Sequence, residues 1–278
     1  LNKSKLKNIM NLLLQKSNIP HNQLFRAFII LYKDQLVNTK DNLDSDNSII
    51  KLFSNDKLFI NALKKIIFKD IRLEKILTKI RKTICYKIAN NIKDITQIDP
   101  HFIIALGEQC FLNEYVYSVT DKEKIFTNQI INRCKEGEIN ELNISILACY
   151  FPLYKLLDQI PFLKSLNSSN QSFIELKELQ ILEPLKEIQL TNHIKKLGKI
   201  NDKTSQKVKS QYEENPYPRW RSANHSKRQK FSIIRRINSE IKPNNISYDI
   251  KDIKHGTSKI LIAGCGTGHQ ILQAQKYK

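Results

Sequence analysis

At 278 residues, 41% of them hydrophobic, the chain is long and apolar enough for one large or two ordinary globular domains, which excludes a disordered polycation despite a formal net charge of +19. No stretch comes near the roughly 18 consecutive apolar residues of a membrane span, and Leu1-Asn2-Lys3-Ser4 carries neither an initiator Met nor a signal-peptide pattern. Lysine supplies most of the charge and is spread along the chain, so it reads as solvated helix faces; only clustering would mark a nucleic-acid surface.

In chain order, the first sixty-odd residues are helical in pattern, broken by the polar stretch Asn38 to Asn47. From Asp70 to Cys85, apolar spacing places Ile71, Leu73, Ile76, Leu77, Ile80 and Ile84 on one helical stripe. Asp99-Pro100 starts the next helix, with Asp as N-cap and Pro in the first turn, and Phe102, Ile103, Leu106, Cys110 and Phe111 follow three or four apart. His101 at that helix start reads as structural. Thr120-Asp-Lys-Glu123 has capping-box spacing ahead of Ile125, Phe126, Ile130 and Ile131, and Gly137 stops that helix. A further helix is predicted over 142–157, kinked or broken at Pro152; residues 171–197 read as one or two helices interrupted near Glu183-Pro184. No internal repeat is found, so a superhelical repeat array is not supported.

The five cysteines (Cys85, Cys110, Cys134, Cys149 and Cys265) are odd in number, form no Cys-x-x-Cys pair and mostly sit beside apolar helical residues. They read as reduced thiols acting as small hydrophobes in a cytoplasmic protein, and no Cys/His cluster has zinc-ligand spacing.

After Leu197 the character changes. Residues 201–258 are basic and aromatic, with the stiff segment Gln211-Tyr-Glu-Glu-Asn-Pro216-Tyr-Pro218-Arg-Trp220, and they lead from a helical domain (1–200) to a third segment (259–278). That segment opens with Lys259-Ile-Leu-Ile-Ala263, the pattern of a strand buried in a parallel sheet, and runs into Gly264-Cys265-Gly266-Thr267-Gly268-His269-Gln270. Glycines at alternate positions let a backbone turn sharply and let a ligand approach where a Cβ would block it. The dinucleotide fingerprint needs Gly where His269 stands, and a Walker loop needs Gly-Lys-Ser/Thr, which is absent. The spacing therefore favours S-adenosylmethionine (SAM), which has no phosphate to cradle. His269 reads as a helix N-terminal residue rather than a general base.

The segment 208–220, with the loop 260–270, resembles a bacterial family in which helical, often tetratricopeptide-repeat, regions precede a class I SAM-dependent methyltransferase domain. Leu73 to Arg81 and Gln109 to Val116 resemble that family's helical stretch, so the likeness covers about residues 70 to 278. The resemblance implies a mainly α chain: a multi-helix domain followed by the first βα unit of a Rossmann-like domain. It implies SAM as cofactor at Gly264, Cys265, Gly266, Thr267, Gly268 and Gln270, with methyl transfer to an N, O or S nucleophile on an unidentified small molecule or protein. Many class I enzymes carry an acid two positions before the first glycine, where this chain has Ile262, and the acid for the ribose hydroxyls is expected beyond Lys278. On this reading the chain is cut from a longer one and is inactive by itself.

Tyr212, Tyr217, Arg219 and Trp220 either latch the helical domain onto the sheet or line the cofactor or substrate mouth, where an aromatic face would attract the sulfonium and Arg219 could hold a carboxylate. Catalytic residues are not identifiable, and neither a metal nor a membrane is implied. The competing expectation is a helical module that binds protein or nucleic acid, motivated by the basic stretch from Lys203 to Arg236 with its interleaved Tyr and Trp.

Overall fold

The computed structural model describes residues 2–41, 46–194, 198, 200–214, 261–263 and 266–274. Among them the chain is mainly α-helical, with no strand. Backbone contacts group it into two units, Leu1–Lys16 with Pro20–Asn201, and Ser17–Ile19 with Asp202–Lys278.

The first unit carries α1 (Lys3–Gln15), α2 (Phe25–Asp41), α3 (Asp46–Ser54), α4 (Lys57–Lys65), α5 (Ile71–Ala89), α6 (Pro100–Leu112), α7 (Asp121–Lys135), α8 (Glu141–Leu147), α9 (Gln171–Lys177) and α10 (Glu183–Thr191). Caps explain many of the starts: Asn2, Asp56, Asp70, Asp99, Asn140 and Asn170 each accept a first-turn N–H with a side-chain oxygen. The capping box at Thr120 and Glu123 is present in both directions, and Gly137 ends α7 at φ 106°.

α6 is the axis of the unit. Every residue from Phe102 to Leu112 is buried, and α4, α8 and α9 pack around it. Gly107 sets how closely α8 approaches, since a Cβ there would lie 3.0 Å from the Ala148 Cβ. Gln109 donates from Nε2 to Leu63 O (2.8 Å) and Ile66 O (2.6 Å) and accepts from Phe68 N–H (3.1 Å). It thereby satisfies carbonyls left over at the end of α4. On this side the core is aromatic: Phe28, Tyr32, Phe53, Phe59 and Phe68 meet at centroid distances of 4.6–5.7 Å.

The stripe on α5 is partly as its spacing predicts. Leu73, Leu77, Ile80 and Ile84 are buried and Ile76 half-buried, whereas Ile71, in the first turn, is 61% exposed. The same face buries a charge. Arg81 is fully enclosed, with Nη2 at 3.2 Å from Glu123 Oε1, a further bond to Ser118 O, and the guanidinium 4.4 Å from the Tyr150 ring. Glu123, also fully buried, takes bonds from Thr120 N–H (2.8 Å), Thr120 Oγ1 (2.8 Å) and Tyr150 OH (2.8 Å). Burial alone would raise its carboxyl, but these donors and Arg81 hold it below its ordinary range.

Pro152 acts earlier than a kink. α8 already stops at Leu147, and Pro152 precedes a 3₁₀ turn at Leu153–Leu156. At Glu183-Pro184 the helix does not break but widens. Residues Glu178–Leu182 form a π-turn, with Glu183 N–H donating to Glu178 O. A proline ring clashes with the carbonyl four residues back, here Gln180, and a wider turn moves that carbonyl aside. The widening also sets Gln180 in the core, where Nε2 donates to Gly107 O (2.9 Å) and Ala148 O (3.3 Å) and Oε1 accepts from Leu153 N–H (3.3 Å).

In the second unit the described elements are α11 (Lys203–Glu214) and α12 (His269–Ala274). Asp202 caps α11 by accepting Ser205 N–H at 2.7 Å, and residues 203–213 are all exposed.

Candidate functional site

The predicted cofactor loop is described in part. Gly264 and Cys265 lie outside the described residues, as do Lys259 and Ile260 of the predicted strand. The described remainder of that strand, Leu261 to Ala263, is not extended in a sheet: Leu261 is 92% exposed, Ile262 half-buried and Ala263 in a turn. A β-favouring run becomes a strand only when a neighbour takes up its amides, and no neighbouring strand occurs among the described residues.

Beyond it the backbone has the left-handed turns that glycine permits. Gly266 has φ 51° and Gly268 φ 91°, and a Cβ added at either would meet nothing within 4 Å. Both conformations favour glycine, with open space in front of both residues. α12 begins at His269, directly after the second turn, and Ile271 N–H donates to Gly268 O at 3.1 Å. Thr267 is half-buried and Gln270 exposed.

Of the proposed mouth residues, Tyr217, Arg219 and Trp220 lie outside the described residues. Tyr212 stands on α11 with 74% of its surface exposed. No hydrogen bond or ring contact joins it to the loop among the described residues. His101, at the start of α6, has Nδ1 2.8 Å from Asp99 Oδ1 and belongs to the helix cap.

Cys85, Cys110, Cys134 and Cys149 are free and buried, while Cys265 is outside the described residues. Burial pushes the Cys85 thiol up to about 12 and the Cys134 thiol to about 11, so neither is a thiolate at neutral pH. Among the described residues no group of His, Cys, Asp and Glu is arranged to hold a metal ion, and no helix is long and apolar enough to cross a membrane.

One concave site has no counterpart in the sequence motifs. α5 and α7 form a cleft of about 580 Å³ lined by Lys79, Lys82, Lys87 and Lys122, with Tyr86 and Phe126 between them. The two rings meet edge to face at 5.5 Å and 62°, and Tyr86 is 47% exposed. Part of the signal was present on α5 as Lys79, Lys82 and Tyr86, on a face apart from the apolar stripe, whereas Lys87 falls on the stripe's own side and Lys122 and Phe126 come from a helix some forty residues on. Comparison with family models, curated proteins and solved structures finds no match to this chain.

Proposed function

We propose that the segment 259–278 is the opening βα unit of a SAM-binding, Rossmann-like domain and that the protein is a class I SAM-dependent methyltransferase of the family its sequence resembles. The observation that carries this reading is the pair of left-handed glycines, Gly266 and Gly268, immediately ahead of α12. Together with the Gly-x-Gly-x-Gly spacing and His269 in place of a third fingerprint glycine, they support SAM over a nicotinamide or a nucleoside triphosphate.

SAM, when bound, would supply an electrophilic methyl group on its sulfonium for displacement by an N, O or S nucleophile, whose proton would leave to solvent. The chain's own contribution is positional, with the backbone at Gly266 and Gly268 offering close approach and Thr267 and Gln270 standing beside it. Tyr212, Tyr217, Arg219 and Trp220 are the candidates for the cofactor or substrate mouth, and the methyl acceptor is a small molecule or a protein.

Calorimetric titration of the intact protein with SAM, with NAD as comparison, tests the assignment. At φ 51° a β-branched side chain is strained and its methyls enter the space the ligand needs, so Gly266→Val abolishes SAM binding. Unchanged affinity in that variant, or a preference for NAD, overturns the proposal.

A further inference from the structure

We propose that the cleft between α5 and α7 is a nucleotide site, taking a phosphorylated, base-bearing ligand with its phosphates on Lys82 and Lys122 and its base against Tyr86 and Phe126. The inference is independent of the cofactor loop, since the whole cleft lies in the helical unit.

Three observations converge. The first is charge: Lys82 and Lys122, both exposed, line one concavity together with Lys79 and Lys87. Like charges held in a concave, low-dielectric wall raise the local potential above that of the same lysines scattered on a convex face. Lys82 on α5 and Lys122 at the start of α7 are exposed and line the cleft from two different helices, so both are available to one anion. Lys87, which also lines the cleft, is only 8% exposed and donates to Asn47 Oδ1.

The second observation is the aromatic pair. Most aromatic side chains of this unit are buried in its core, whereas Tyr86 keeps nearly half its surface exposed in the middle of the lysines. Its edge-to-face contact with Phe126 holds the ring, so a base could stack without the platform having to be ordered first. An inorganic anion would need only the lysines; a basic cleft with a braced aromatic platform suits a nucleotide or a nucleic-acid strand. The third is size. A volume of about 580 Å³ lies in the range of small-molecule sites, roughly 300–1,000 Å³, and exceeds what a bare phosphate fills.

The test titrates the intact protein with ADP, with inorganic pyrophosphate and with an oligodeoxythymidylate. The expected result is saturable binding of ADP, of the oligonucleotide or of both, weakening as salt rises. Lys82→Glu/Lys122→Glu lowers that affinity at least about tenfold, while the same charge change at two exposed lysines elsewhere in the helical unit, Lys5→Glu/Lys57→Glu, does not. Tyr86→Ala lowers ADP or oligonucleotide affinity at least about fivefold and leaves pyrophosphate binding unchanged, which also shows that the variant is folded. ADP binding without the oligonucleotide identifies a free nucleotide as the ligand, and the reverse identifies a strand. The proposal is overturned if neither binds, if Lys82→Glu/Lys122→Glu keeps wild-type affinity, or if pyrophosphate matches ADP and Tyr86→Ala changes nothing.

Discussion

Glu123→Gln removes one charge from a pair that water does not reach, with both side chains 1% exposed and their closest N and O atoms 3.2 Å apart. At an effective dielectric of about 20, two unit charges about 4 Å apart attract by about 4 kcal/mol. Breaking a buried pair by removing one partner costs about 3–5 kcal/mol, because the remaining charge stays buried. The Arg81 guanidinium keeps some support from Ser118 O and the Tyr150 ring, which places the expected loss near the lower end, about 3 kcal/mol. Urea denaturation followed by circular dichroism reads this as a lower midpoint at an unchanged slope.

The pH dependence carries an independent sign. Glu123 has a folded-state affinity for protons below that of its ordinary value of 4.5, so its ionised form stabilises the fold above that pH. The stabilisation is lost as pH falls through the lower, folded value. Wild type and variant should therefore differ most at neutral pH and converge in acid. A loss under about 1 kcal/mol, the range of solvent-exposed pairs, or a gap that widens in acid, would falsify the assignment of this pair as a buried determinant of stability.

Two further predictions concern α6 and its neighbours. Gly107→Ala gains about 1 kcal/mol of helix propensity but sets a Cβ 3.0 Å from the Ala148 Cβ and 3.3 Å from Ser145 O; overpacking of about 1–3 kcal/mol wins, for a net loss of about 1 kcal/mol. Adding Ala148→Gly should recover part of that loss in the same denaturation assay, and a Gly107→Ala protein more stable than wild type refutes the close-approach argument. Gln180→Leu leaves the buried Leu153 N–H without its side-chain acceptor and costs about 2–3 kcal/mol; a variant within about 0.5 kcal/mol of wild type would mean that the amide is incidental.

Local signals account for what was legible in the sequence. The cap at Asp99, the capping box at Thr120–Glu123 and the stop at Gly137 are written within four residues each, and each is found in place. The buried stripe of α5 was legible for Leu73, Leu77, Ile80 and Ile84, because periodicity measures which side faces the core. It could not show that Arg81 shares that side, since its partner Glu123 lies 42 residues away on another helix. Ile71 and Ile125 carry the apolar signal and are exposed all the same, at 61% and 57%, because burial depends on which neighbours arrive. The π-turn before Pro184 was beyond propensity arguments, which foresee a proline interruption but not whether the helix breaks or widens. At the candidate site, the turns at Gly266 and Gly268 were readable from the alternate glycines, whereas strand formation at Leu261 to Ala263 depends on partners that a local run does not specify.

The enclosure of α6 decides how divisible the helical unit is. Its wrapping comes from both directions along the chain, from α4 before it and from α8 and α9 after it. In a solenoid each module touches only its neighbours, so modules can be trimmed or multiplied one at a time. Here any cut between Lys57 and Leu182 would strip the central helix of part of its cover and leave two pieces without an interior of their own. The unit is therefore modular only as a whole: it can be gained, lost or fused to another domain as one block, and variation in length has to accumulate at its ends and surface turns.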